Sequence, residues 1–144
     1  MIFRPMKPED LGGIIEIEKT CFTADAWSED DFIYRMNASD WHFINLTLED
    51  EGRVAAYITA TVVADEMNID SVAVAPDYRR KGYASALINL AIKEAKAAVV
   101  MLEVRESNTA AISLYQSLGF EKVGLRKNYY ERPVENAVLM TKCN

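Results

Sequence analysis

The run Ile69-Asp-Ser-Val-Ala-Val74, followed by Ala75-Pro-Asp-Tyr78 and then Arg79-Arg-Lys-Gly-Tyr-Ala84, decides how this chain folds. Its first part is rich in β-branched residues and reads as a strand over Met67 to Val74. Pro76 and Asp77 end that strand, and Leu87, Ile88, Leu90, Ala91 and Ala95 then recur at helical spacing, predicting a helix from about Arg80 to Lys96. A strand, a turn and a helix in this order leave the first helical amides without carbonyl partners. Beside three adjacent cations, Arg79, Arg80 and Lys81, and with Gly82 permitting close backbone approach, those amides form a cradle suited to a phosphate. The same residues also fit a plain tight turn with a solvated basic surface. The stretch is neither a Walker A loop nor a dinucleotide fingerprint, since both glycine patterns are absent.

Downstream, Ala98 to Val104 is an almost continuous apolar strand. A strand, a helix and a second strand imply a right-handed crossover and a parallel pair. Asn108 is placed to cap the next helix, which carries Ala111, Ile112, Tyr115 and Leu118 on one side and stops at Gly119. Phe120 to Asn128 and Val134 to Lys142 read as the last two strands, joined through Arg132-Pro133.

Upstream, His42 to Leu48, Arg53 to Val63 and Met67 to Val74 alternate with the short turns Glu49-Asp-Glu-Gly52 and Asp65-Glu66. Links this short force antiparallel pairing. Ile2 to Met6 is a further strand, and a helix opening at Pro8-Glu-Asp carries Ile14, Ile15, Ile17, Cys21 and Phe22. Gly12-Gly13 weakens its first turns by roughly 1 kcal/mol per glycine relative to alanine, so another contact has to hold them. Ser28-Glu-Asp-Asp is a capping signal for a second helix through Phe32, Ile33 and Met36, which leaves Phe22 to Ser28 as a link with Trp27 beside the cap. The expected architecture is a single α/β (α+β) domain over residues 1–144: a mixed, mostly antiparallel sheet of about seven strands with a splayed parallel pair, and about four helices.

The 144 residues suffice for one core, and half of them are hydrophobic, which excludes a disordered chain. The opening residues carry no apolar signal-peptide core and no run is of membrane length, so the expected setting is the cytoplasm, with no membrane partner. A formal charge of −6 argues against nucleic-acid binding. Cys21 and Cys143 lack metal-site or redox spacing, and His42 is the sole histidine, so no metal is expected.

Three blocks carry a family resemblance. Arg79-x-x-Gly82-x-Ala84 after a strand resembles the coenzyme A signature of the Gcn5-related N-acetyltransferase (GNAT) superfamily. Leu102-Glu-Val-Arg-Glu-Ser-Asn-Thr-Ala-Ala-Ile-Ser-Leu-Tyr-Gln-Ser-Leu-Gly-Phe120, and Asn128-Tyr-Tyr130 followed by Glu135-Asn-Ala-Val-Leu-Met140, together with Cys21-Phe22 and Trp27-Ser28, resemble its RimI-type ribosomal-protein-alanine N-acetyltransferases across nearly the whole chain.

The resemblance implies that acetyl-coenzyme A threads between the two parallel strands, with Val72 and Val74 as backbone contacts to the pantetheine arm. Arg79, Arg80, Lys81, Gly82, Tyr83 and Ala84 would form the pyrophosphate turn. Asn108 would touch the pantetheine arm besides capping its helix. Alternation on the strand 98–104 puts Met101, Glu103 and Arg105 on one face. A carboxylate there is either paired, with Arg105 or Arg126, or functional. The resemblance favours Glu103 as general base acting through water, and Tyr115, two turns below Asn108, as the acid for the departing thiolate; by spacing alone Tyr115 also fits as core.

On the acceptor side the resemblance points to Trp27, Tyr129, Tyr130 and Glu135, Glu135 fitting a plain surface role equally well. Ala26 stands where the family commonly has proline, which removes a pre-set backbone from the acceptor groove. The implied reaction is acetyl transfer, by direct attack in a ternary complex, to a protein N-terminal amine: that of the N-terminal alanine of ribosomal protein S18, or of other protein N-termini. The enzyme is expected as a monomer or weak homodimer. A transferase of the same fold acting on a polyamine or aminoglycoside, or a non-catalytic coenzyme A module, are the alternatives.

Overall fold

The computed structural model describes residues 1–22, 25–38 and 42–144. Seven strands form one sheet: β1 (Ile2–Pro5), β2 (Phe43–Asp50), β3 (Arg53–Val63), β4 (Glu66–Val74), β5 (Val99–Arg105), β6 (Glu121–Glu131) and β7 (Val134–Cys143). The helices are α1 (Leu11–Phe22), α2 (Glu29–Asn37), α3 (Tyr83–Ala95) and α4 (Thr109–Ser117). The strand order is β1-β2-β3-β4-β5-β7-β6, and β4 and β5 are the parallel pair in an otherwise antiparallel sheet. The mixed sheet, the crossover and the helices follow the sequence expectation. Its order at the far end, with β7 inserted between β5 and β6, does not appear in any local pattern.

Strand β3 is the spine, with Ala55 through Ile58 and Ala60 inaccessible to solvent. Helices α1 and α2 cover the face that carries Tyr57 and Thr59, as contacts from Glu18, Phe32 and Arg35 show. That leaves Ala56, Ile58 and Ala60 to α3, which packs against β2, β3 and β4. The small side chains of β3 let the helices lie close to the sheet. Gly13 is the extreme case: a Cβ there would stand 3.0 Å from Val54 Cβ, so the glycine that weakens α1 is what allows α1 to reach β3.

The first turn of α1 is held from outside, as the paired glycines require. Arg4 on β1 grips Asp10 through two hydrogen bonds of 2.6 and 2.7 Å and reaches Glu49 on β2 at 2.9 Å. Asp10 also accepts from the Lys7 amide. Burial works against the Asp10 charge, but these donors hold its carboxyl below the usual range.

Two boundaries differ from expectation for reasons that matter to the site. Helix α3 starts at Tyr83 rather than near Arg80, because Arg80 (φ +65°) and Gly82 (φ +77°) both adopt left-handed backbone and keep 79–82 outside the helix. An added Cβ on Gly82 would meet no protein atom within 4 Å, so its conformation, not crowding, calls for glycine. Helix α1 is likewise preceded by a separate 3-10 turn, Pro8–Asp10. The Ser28 cap is present in full, with Ser28 accepting from the Asp31 amide and Asp31 accepting from the Ser28 amide. Residues 23–24 of the link Phe22 to Ser28 lie outside the described residues.

Candidate active site

The parallel pairing of β4 with β5 runs from Glu66–Val99 to Ile69–Leu102 and stops, although both strands continue. The cause lies on the other edge of β4. Thr59 pairs with Ser71 and Ala60 with Ile69, so Asp70 is an extra residue, a bulge that bends β4 away from β5 where the pairing ends. Asp70 is fixed there by Arg35 (2.8 Å), Thr61 (2.6 Å) and Asn68 (2.7 Å). The result is a cleft of about 980 Å³ between the splayed strands, continuing to the α3 turn at one end and to Trp27, Tyr129 and Tyr130 at the other.

The edge of β4 facing the cleft offers main-chain groups. The Val74 carbonyl points into it, accepting from Arg79 Nε at 3.4 Å, and strand alternation turns the amide and carbonyl of Val72 the same way. At the turn, Gly82 caps α3 without a side-chain hydrogen bond, so the amides of Tyr83, Ala84 and Ser85 are unpartnered within the helix and lie at the cleft beside the small Ala84.

The charged side chains of the turn contribute differently from one another. Arg79 folds back over Val74 and donates to Cys21 Sγ at 3.3 Å, Arg80 borders the cleft, and Lys81 lies 5.3 Å from the Tyr78 ring, outside the cleft lining. Tyr83 turns its ring inward, stacks on Tyr78 and donates to Asp50, a hydrogen bond that, with burial, pushes its phenol up to about 12. The Tyr83 side chain thus anchors the turn and leaves its amide to the cleft.

On β5, Met101, Glu103 and Arg105 do share the partly exposed face, with Leu102 and Val104 in the core. Glu103 borders the cleft. Its ion-pair partner is Arg126 on β6 at 3.4 Å, and its carboxylate lies near enough to Tyr129 to raise that phenol above its ordinary value, with burial adding to it. Arg105 is occupied elsewhere: it binds Asp25 at 2.7 and 3.0 Å and Glu135 at 3.0 Å and lies 4.3 Å above the Tyr130 ring. The carboxylate of Glu135 accepts from Arg105 and, at 2.6 Å, from the Ser107 amide, so it braces the β6–β7 hairpin against β5 outside the cleft lining. Burial pushes the Tyr130 phenol up to about 12, with the nearby Glu103 charge adding to it.

On α4, Asn108 caps the helix by accepting from the Ala111 amide at 3.2 Å and borders the cleft. Tyr115 also borders it, its ring edge-on to Phe120 at 5.8 Å, and burial alone pushes its phenol up to about 12. Tyr115 is therefore both core and cleft wall, and it stays protonated over the whole range in which an amine acceptor titrates.

Among the cleft residues that the sequence did not single out, Glu18 is the one held most deeply. Glu18 on α1 has no exposed surface, yet it forms part of the cleft wall. It accepts from Tyr57 and, at 2.8 Å, from Ser71, while its other oxygen accepts from the Trp27 amide at 2.9 Å. The signal was present: Glu18 interrupts the apolar face formed by Ile14, Ile17, Cys21 and Phe22. Trp27 itself packs on Phe32 at 5.4 Å and takes the Arg35 guanidinium over its ring at 4.5 Å. His42 lies beside Val62 at the start of β2, outside the cleft lining. Among the described residues there is no group of three or more His, Cys, Asp or Glu placed to hold a metal ion.

A strand-turn-helix phosphate cradle, a splayed parallel pair and two proton-bearing groups on one cleft are the build of an acetyl-coenzyme A transferase, and the model of the acetyltransferase (GNAT) family matches residues 11–120. The chain belongs to that family and is an acetyl-coenzyme A-dependent acetyltransferase. Within it, the chain is 35% identical over 141 residues to the putative [ribosomal protein bS18]-alanine N-acetyltransferase of Bacillus subtilis, covering 95% of this chain and 91% of that one. The crystal structure of the ribosomal-protein-S18-alanine N-acetyltransferase from Escherichia coli superposes with a TM-score of 0.86 at 35% identity, covering 99% of this chain and 92% of the other. The fold is shared also by Arabidopsis thaliana NAA60 in complex with acetyl-CoA, with a TM-score of 0.86 at 22% identity and coverage of 99% of both chains.

Proposed function

We propose that this enzyme acetylates the N-terminal α-amine of a protein in the cytoplasm, first of all the N-terminal alanine of ribosomal protein bS18. The cofactor's pyrophosphate rests on the amides of Tyr83, Ala84 and Ser85, and its pantetheine arm runs along Val72 and Val74 as an added strand. The acceptor enters from the side of Trp27, Tyr129 and Tyr130. The observation that carries this reading is that Glu103 and Tyr115, on two different elements, border one cleft beyond the point where β4 and β5 part.

In the reaction the amine nitrogen attacks the thioester carbonyl carbon, the carbon–sulfur bond breaks, and the amine loses a proton while the thiolate gains one. An α-amine with pKa about 7.7–8.0 is roughly 10–20% neutral at pH 7, whereas a lysine near 10.4 is below about 0.1%. A carboxylate acting through one water suits the former, and Glu103 takes that role, with Arg126 orienting it. The Tyr115 phenol, held protonated by burial, donates to the sulfur as negative charge develops there. A thiol of ordinary pKa, about 8.5, is a stronger acid than this phenol, so Tyr115 stabilises the departing thiolate chiefly through its hydrogen bond.

The similarity in sequence and fold to bS18-alanine N-acetyltransferases supports the acceptor. The test compares turnover on an Ala-starting bS18 peptide, the same peptide blocked at its N-terminus, and a panel of polyamines. Acetylation of the first alone is expected; turnover of polyamines with none of the free peptide would overturn the reading.

A further inference from the structure

We propose that Glu18 is a positioning residue for the acceptor: it fixes the Trp27 wall of the cleft against the segment of β4 that parts from β5. A carboxylate with no exposed surface is costly to bury, and the three donors that hold this one are all neutral: the hydroxyls of Tyr57 and Ser71 and the amide of Trp27. They come from three separate segments. Tyr57 belongs to the rigid spine β3, Ser71 directly follows the Asp70 bulge that opens the cleft, and Trp27 lies in the link before α2.

Glu18 thus joins the acceptor wall to the start of the cofactor edge through hydrogen bonds at both ends. The Trp27 ring is held from its far side by Phe32 and Arg35, but its backbone is held by Glu18. Losing that acceptor leaves the partly buried Trp27 amide unpaired and frees the wall where the peptide must lie.

The chemistry of the three donors separates positioning from proton transfer. A glutamine at 18 can accept from the Trp27 amide through its carbonyl oxygen and donate through its NH2 to the hydroxyl oxygens of Tyr57 and Ser71, which can accept as well as donate. A leucine of similar size satisfies none of them. A positioning role therefore survives Glu18→Gln and fails in Glu18→Leu; a proton-accepting role fails in both.

This inference rests on the N-terminal acetyltransferase reading for its kinetic test. In Glu18→Leu the KM for the Ala-starting peptide should rise about tenfold, the effect of leaving a buried donor without its acceptor, while the KM for acetyl-coenzyme A stays within about twofold. Glu18→Gln should lie within about threefold of the parent in both. Equal loss in the two variants, parent-like behaviour of the leucine variant, or a parallel rise in both KM values would each overturn the proposal. Hydrogen exchange of the Trp27 amide in the parent protein is independent of acceptor identity and of any variant's folding. Protection of that amide is expected, although it lies in a link between helices, and exchange at the rate of an open chain would overturn the proposal. If the parent acetylates no α-amine, the functional reading fails while the exchange result still decides the role of Glu18.

Discussion

At the proposed cofactor end of the cleft the groups on offer are main-chain ones, the amides of Tyr83 to Ser85 and the edge of Val72 and Val74 that β5 leaves unpaired. At the proposed acceptor end they are side chains drawn together from distant segments: Asp25 with Arg105, Arg105 with Glu135, Glu103 with Arg126, and Glu18 with the Trp27 amide. The α3 turn at the first end is specified by local backbone conformation, which a short sequence dictates. The second exists only once the sheet has assembled. Main-chain groups present the same donors and acceptors whatever side chains surround them, whereas a wall built of side chains changes with each substitution.

Substitutions at the two ends should therefore fail in different ways. The largest effect is expected at Glu103: in Glu103→Gln, kcat with peptide at neutral pH should fall about 100-fold, the usual contribution of a positioned base, with the KM for acetyl-coenzyme A nearly unchanged. An unaltered pH–rate profile would remove the role. Tyr115→Phe keeps the ring against Phe120 and deletes only the donor, so kcat should drop about tenfold. Because the phenol is pushed up to about 12, it is protonated below that range, and no alkaline fall in rate at lower pH should vanish in this variant.

At the cofactor end, Ala84→Leu screens the helix amides with a branched side chain. The KM for acetyl-coenzyme A should rise about fivefold while the melting temperature holds, as measured by steady-state kinetics and calorimetry. Equal cofactor affinity in variant and parent would break the backbone account of that end. The smallest effect is expected for Lys81→Ala, because Lys81 lies against Tyr78 outside the cleft lining and a solvated cation gains little from a nearby anion. Its cofactor KM should stay within about twofold of the parent; a tenfold rise would show that side-chain charge, rather than main chain, holds the pyrophosphate.

The same contrast explains what could be read in the chain. The crossover, the Ser28 and Asn108 caps, the alternation that exposes Glu103, and the glycine before α3 are all local signals, and each is present. The resemblance, not spacing, assigned Glu103 and Tyr115 chemical roles, and the structure adds that they border the same cleft. The Asp70 bulge was not legible, because it is a mismatch in register between two strands that are individually regular. Nor was the Asp25–Arg105 pair, which spans 80 positions and depends on the link before α2 meeting the end of β5. Glu135 illustrates the limit of motif position alone: it stands in the block that carries the resemblance, yet its carboxylate is engaged by Arg105 and the Ser107 amide. Glu18 differs from these, since a carboxylate on the apolar side of α1 was visible in the sequence.

The central claim is that the parting of β4 from β5 seats acetyl-coenzyme A between a backbone cradle and the Glu103–Tyr115 pair. A crystal structure with the bound cofactor tests it most directly. The account predicts pyrophosphate oxygens on the amides of residues 83–85, the pantetheine arm paired to Val72 and Val74, and the thioester sulfur within hydrogen-bonding reach of the Tyr115 hydroxyl. Pyrophosphate bound away from the α3 turn, or a thioester out of reach of both Glu103 and Tyr115, would contradict it.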